Sequence, residues 1–179
     1  MAESIKRSTV VWLVIAGLVG IMWLRPKKDK EGFLPVTPAV TISQPAREKV
    51  KVLRVIDGDT IELADKRRVR YIGINSPEID DKRSRVRCQA QKAKEINEGL
   101  VLNKEIEIER DVSNLDKYQR WLRYVWIEDQ MVNEKLVADG WAQVMTMPPD
   151  VKYQERFLEL LREAKNAKRG LWSQITCAR

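Results

Sequence analysis

Val50-Lys51-Val52-Leu53-Arg54-Val55-Ile56-Asp57-Gly58-Asp59-Thr60-Ile61-Glu62-Leu63 is the stretch that decides the fold. Val50 to Val55 alternates like a half-buried strand, and Thr60 to Leu63 continues the pattern. Asp57-Gly58 between them is a hairpin signal. A third run, Arg67 to Ile74, follows at once. Further on, Ile106 to Glu109 and Trp121 to Ile127 read as two more strands, the latter ended by a turn at Glu128-Asp129-Gln130.

Helical periods fill the gaps. Gln89 to Leu102 places Ala90, Ala93, Ile96, Leu100 and Val101 on one face. Asn133 to Asp139 is a short helix stopped by Gly140. Lys152 to Lys168 carries a stripe of Tyr153, Phe157, Leu160, Leu161 and Ala164, and Gly170 ends it. Five short strands with a helix inserted after the third predict an α+β domain. Its centre is a five-stranded barrel of the oligonucleotide-binding (OB) type with about three packed helices.

The chain has 179 residues, 33 Lys and Arg against 26 Asp and Glu, two cysteines and no histidine. The lack of histidine excludes His-dependent nucleases, the Ser-His-Asp triad and the usual zinc-hydrolase sites. Acid–base work falls to Asp, Glu, Lys, Tyr or Cys. The net charge of +7 suits a polyanionic partner without proving one, and from Lys49 onward the excess is only +4. Cys88 and Cys177 are too few and too far apart for a metal knuckle. A disulfide in an oxidising compartment and two unpaired thiols both remain open.

Ser8 to Leu24 is an uninterrupted uncharged run of 17 residues, at the short end for a membrane-spanning helix. Trp12 and Trp23 sit near its ends, as interfacial anchors do. No small-residue cleavage site follows it, which favours an uncleaved anchor over a signal peptide. Residues 1–7 form its flank. Residues 25–48, with Pro26, Pro35, Pro38 and Pro45, form an extended linker to a domain over 49–173, and 174–179 are a tail. The basic residues after the run place the domain in the cytoplasm by the positive-inside rule. The cysteine pair favours the extracytoplasmic side.

Candidate chemistry lies in three segments. Asp59 is a second acid that the Asp57-Gly58 turn does not need, well placed for a hard cation. Arg70 stands on the third strand, and Glu78 follows Pro77, which stiffens the loop. Asp116-Lys117-Tyr118-Gln119-Arg120 opens the last strand from a polar loop. A metal-binding carboxylate, a general base and two guanidinium groups are what phosphodiester hydrolysis needs. Singly, each residue reads equally as a turn or a solvated surface charge.

As a set, the segments resemble the staphylococcal nuclease (thermonuclease) family over about Val50 to Trp172. The matching pieces are Ile56-Asp57-Gly58-Asp59-Thr60, Val69-Arg70 with Gly73-Ile74-Asn75-Ser76-Pro77-Glu78, and Asp116-Lys117-Tyr118-Gln119-Arg120. Val132-Asn133-Glu134-Lys135-Leu136-Val137 with Gly140, and Ala164 to Trp172, follow in order. The resemblance implies Ca²⁺ held by Asp59, Asn75 and the Ser76 carbonyl. It implies Glu78 as general base, Arg70 and Arg120 as phosphate grips, and Lys117 and Tyr118 as substrate contacts. It also implies cleavage of the 5′-side P–O bond of DNA or RNA, leaving 3′-phosphates. Three positions depart from the family. Asn75 stands where Asp is usual, Gln119 replaces a glycine, and the region from Val144 to Pro148 lacks the base-stacking tyrosines. The expectation is a membrane-anchored, calcium-dependent nuclease of low sequence specificity. The alternative is a catalytically weak OB module that binds single-stranded nucleic acid.

Overall fold

In the computed structural model, the run at Val50–Val55 lies inside the longest strand, β1 (Glu48–Val55). The structure describes residues 46–177; the expected anchor at 8–24 and nearly all of the linker lie outside the described residues. Among the described residues, no helix is long and apolar enough to cross a membrane.

The first half of β1 pairs antiparallel with β5 (Glu105–Glu109). The second half pairs with β2 (Thr60–Leu63), and the register slips between Val52 and Arg54. That irregularity bends one strand so that it serves both sides of a barrel. β2 continues antiparallel to β3 (Arg68–Tyr71), and β5 to β6 (Trp121–Ile127). β3 and β6 then pair in parallel, Arg70 opposite Leu122, and close the barrel. The expected five-stranded OB-like barrel is therefore observed. β4 (Ile74–Asn75) and β8 (Gln143–Val144) add a small separate ladder, and β7 (Gln130–Met131) extends β6.

Val52, Ile61, Leu63, Val69, Tyr71, Ile106, Ile108 and Val125 are buried in the barrel core. Leu136 and Val137 from α2 (Val132–Ala138), and Phe157 and Leu160 from α3 (Gln154–Asn166), join the same core. Two buried asparagines knit helices to strands. Asn133 accepts from Val125 N–H at 2.9 Å and donates to the Ile72 carbonyl at 2.9 Å. Asn97 accepts from the Tyr71 hydroxyl at 3.0 Å and donates to the Asp57 carbonyl at 3.2 Å. A buried amide with both ends satisfied fixes position as well as avoiding a desolvation cost.

Helix α1 spans Ser84–Val101, beginning five residues before the expected start at Gln89. Its first turn, Ser84-Arg85-Val86-Arg87, holds only one apolar residue, so hydrophobic periodicity carries little trace of it. That turn is held instead by a disulfide between Cys88 and Cys177, with Cα atoms 5.9 Å apart. The third expected strand also ends early, at Tyr71. Gly73 turns the chain there with φ +79°, and a Cβ would collide with the Phe157 ring. At the other end of the domain, Gly140 (φ +79°) and Gly170 (φ +51°) press backbone to backbone. Leu171 N–H donates to the Gly140 carbonyl at 2.9 Å, and a Cβ on either glycine would strike the other segment.

Candidate active site

Asp59, Arg70, Asn75, Glu78 and Arg120 all line one cavity of about 610 Å³, together with Lys117 and Tyr118. The fold explains the convergence. β2 and β3 pair with Thr60 opposite Arg70, so Asp59, one residue earlier, stands beside the Arg70 side chain. Gly58 lets the turn lie against Ser76, since a Cβ there would fall 2.6 Å from the Ser76 Cβ. The polar loop before β6 then brings Arg120 to the same opening.

Asp59 and Arg70 form the floor, and each is less than 10% exposed. Asp59 Oδ1 lies 2.7 Å from an Arg70 guanidinium nitrogen and accepts from the Thr60 hydroxyl at 3.1 Å. Asp59 Oδ2 accepts from Ser76 N–H. Burial pushes the Asp59 carboxyl up to about 7; Arg70 and the Ser76 N–H pull it down, while neighbouring Asp57 pushes it further up. Desolvation thus outweighs the Arg70 charge at this carboxyl.

Asn75 meets different partners from those that direct ligation needs. Its Oδ1 accepts from Arg70 at 2.8 Å, and its Nδ2 donates to the Ser76 carbonyl at 3.3 Å. With no carboxylate at this position, the amide oxygen satisfies the second arm of Arg70. Among the described residues, no cluster of three or more His, Cys, Asp or Glu could hold a metal. The oxygen donors of Asp57, Asp59, Asn75 and Ser76 are nevertheless of the hard type that Ca²⁺ takes. The raised Asp59 carboxyl fits a cation there as well.

Glu78 is exposed, and its carboxylate has no hydrogen-bond or ion-pair partner among the described residues. Arg120 is held rather than loose. Asp116 accepts from the Tyr118 and Arg120 N–H groups at 2.8 and 2.9 Å and from Arg120 Nε at 2.7 Å. Burial raises the Asp116 carboxyl, but these hydrogen bonds outweigh it and hold it below its ordinary value. The terminal guanidinium nitrogens of Arg120 stay free to meet a ligand. Gln119, at the departure from glycine, adopts φ +64°. Tyr118 is exposed, with Lys117 Nζ 4.9 Å and the Arg120 guanidinium 5.4 Å from its ring centre.

Residue-by-residue reading gave no role to Asp57, Asp116 or Asp150. Asp57 lines the cavity and accepts from Asp59 N–H at 3.0 Å. Asp150 supports the rim by accepting from Val112 and Ser113 N–H at 3.0 and 2.7 Å. Asp116 carried a signal, since it heads the motif that ends at Arg120. Met145, Met147 and Pro148 line the cavity in the region without stacking tyrosines.

Residues 68–174 match the family described as "Staphylococcal nuclease homologue". The chain is 35% identical over 136 residues to the thermonuclease of Staphylococcus hyicus, covering 74% of this chain and 80% of that relative. It is 35% identical over 131 residues to the thermonuclease of Staphylococcus intermedius, covering 71% and 77%. Similarity to Endonuclease YncB of Bacillus subtilis (strain 168) is also 35%, over 68% of this chain and 60% of the relative. Since the family match takes in β3, α1, the Arg120 loop and everything through α3, the chain belongs to the staphylococcal nuclease homologue family.

Proposed function

We propose that this chain is a divalent-cation-dependent nuclease that hydrolyses phosphodiester bonds of DNA or RNA with low sequence specificity. The observation that carries the reading is the single cavity shared by Asp59, Arg70, Glu78 and Arg120. A nucleophile-activating carboxylate and two guanidinium groups lining one cavity match the demands of phosphoryl chemistry.

Glu78, unpaired, accepts a proton from the attacking water. Arg70 is fixed by Asp59 and Asn75, and Arg120 by Asp116, so both guanidinium groups are preorganised. They receive the charge that builds on the equatorial phosphate oxygens. Lys117 and Tyr118 receive flanking phosphate and sugar. Asp59, with the oxygens of Asn75 and Ser76 once they turn from their present partners, would hold a Ca²⁺ ion, which would supply further neutralisation of the phosphate.

The proposal extends to a single-pass anchor at 8–24 and a catalytic domain on the extracytoplasmic side. The Cys88–Cys177 disulfide supports an oxidising compartment. Digestion of plasmid and of RNA by the purified full chain, with Ca²⁺, with Mg²⁺ and with chelator, tests the activity. Cleavage with cation that stops with chelator is the expected result. Salt-sensitive binding with no cleavage in any cation would leave the OB binding module instead.

A further inference from the structure

A second cavity, of about 330 Å³, lies on the other side of the Ser76-Pro77-Glu78 loop. It shares Asn75 and Glu78 with the first cavity, so Glu78 stands on the ridge between the two. Its remaining wall includes Asp81, Arg83, Gln89, Gln143 and Trp172. Beside it the chain reads Lys82-Arg83-Ser84-Arg85-Val86-Arg87, four cations in six positions. The acids of the same loop, Glu78, Asp80 and Asp81, offset three of those four charges.

The cations differ in what they already do. Arg87 NH1 donates to the Asp81 and Lys82 carbonyls at 2.9 and 2.8 Å, so it shapes the turn. Arg83 forks onto Asp81, with Nε 2.9 Å from Oδ1 and Nη2 2.7 Å from Oδ2, yet its side chain is 76% exposed and its Nη1 has no partner among the described residues. A phosphate can meet Arg83 at that free nitrogen. Arg85 is exposed and makes one long contact, 3.3 Å to the Ser173 carbonyl. Lys82 is exposed with no side-chain partner among the described residues. The wall behind them is firm. Cys88–Cys177 and the Gln89 Nε2 donation to the Leu171 carbonyl at 3.3 Å fasten α1 to the segment that follows α3.

We propose that this second cavity is a nucleic-acid subsite that carries the strand next to the scissile phosphodiester, with Arg83 and Arg85 as its phosphate contacts. The inference rests on the nuclease reading for its substrate. A polymer whose reacting phosphate lies between Arg70 and Arg120 must leave that cavity somewhere. Across Glu78 it meets a concave surface with Arg83 in its wall and Lys82 and Arg85 next to Arg83 in the chain, and with an indole and two carboxamides to face a base. No role in the bond-breaking step is assigned to Arg83 or Arg85.

The test uses the full chain and the double variant Arg83→Gln, Arg85→Gln. Fluorescence anisotropy of a labelled single-stranded oligonucleotide, in chelator, gives the salt dependence of binding. Loss of two phosphate contacts lowers the slope of log K against log salt by about 1.4. In the presence of cation, the ratio of kcat/KM on the oligonucleotide to that on a dinucleotide falls roughly tenfold, through KM. The Arg83→Lys, Arg85→Lys variant keeps the slope, which separates charge from folding. An unchanged slope with wild-type cleavage intact overturns the subsite and leaves the nuclease reading standing. Equal loss on both substrate lengths also overturns it, because the arginines then act on Glu78 rather than on the strand. A slope that falls as stated in a chain that cuts nothing upholds the subsite and overturns the nuclease reading.

Discussion

Asp59 and Arg70 form an ion pair that solvent scarcely reaches, with 2.7 Å between Oδ1 and a guanidinium nitrogen. The pair fixes both residues, and it leaves Asp59 on the edge of protonation at neutral pH. In the unfolded chain Asp59 titrates near its ordinary 3.8, and in the fold near 7. Between those values the folded chain holds more protons, so this residue's contribution to stability is complete at low pH and is lost as pH rises towards 7. A cation on Asp59 needs the ionised form. Added Ca²⁺ should therefore raise Tm by several degrees at about pH 8 and by much less at about pH 6. Thermal melts with and without Ca²⁺ at the two pH values check this; an equal rise at both would contradict the site.

Glu78→Gln should lower kcat on DNA or RNA by roughly 10²–10⁴-fold, the range of a lost general base. Because Glu78 is exposed and unpaired, stability should change by less than about 0.5 kcal/mol. Single-turnover kinetics and a chemical melt on the same sample separate the two effects.

Asn75→Asp should tighten cation binding several-fold, because ligand charge count tunes affinity for hard cations. The new carboxylate keeps the Arg70 contact and adds a second negative charge beside Asp59 for the cation to neutralise. Half-saturating Ca²⁺ concentration for cleavage, or Ca²⁺ titration by calorimetry, reads the change.

Asp116 acts through Arg120. Asp116→Ala should lower activity by tens-fold, and adding it to Arg120→Ala should cost little more, the signature of two residues working as a unit. A double-mutant cycle on kcat/KM gives the coupling. The clamp also resists acid. The lowered Asp116 carboxyl contributes stability above the ordinary aspartate value, and this is lost as pH falls through its own depressed value.

Gln119 occupies a left-handed conformation that costs a non-glycine residue about 1 kcal/mol. Gln119→Gly removes that strain but loosens the unfolded chain by about 0.4–1 kcal/mol. Tm should stay level or rise slightly. Gln119→Val, β-branched at positive φ, should lower stability by more than about 1 kcal/mol and reduce activity with it. Urea melts of the two variants rank them.

The barrel was legible because alternation and turn residues agree over short distances. Trp121–Ile127 is a strand from end to end in both readings, since its bulky β-formers leave little choice. Periodicity could not reveal the first turn of α1, where Val86 is the single apolar residue and whose anchor is a disulfide. Nor could it reveal that Arg70 is buried. That follows from the parallel closure of β3 on β6, a contact across fifty residues. Asp59, Glu78 and Arg120 share a cavity for the same long-range reason, and family likeness, not spacing, brought them together beforehand. Whether Cys88 meets Cys177 was equally beyond local pattern, because the two lie 89 residues apart.

The backbone contact between Gly140 and Gly170 also has a temporal meaning. A ribosome that has reached Arg169 has already made every side chain of the first cavity. It has not yet made the segment that seals the end of α2 or the cysteine that captures α1. The groups that line the cavity are thus complete in the nascent chain before the segment that fastens α1 and α2, and the fastened fold waits for residues 170–177 to emerge.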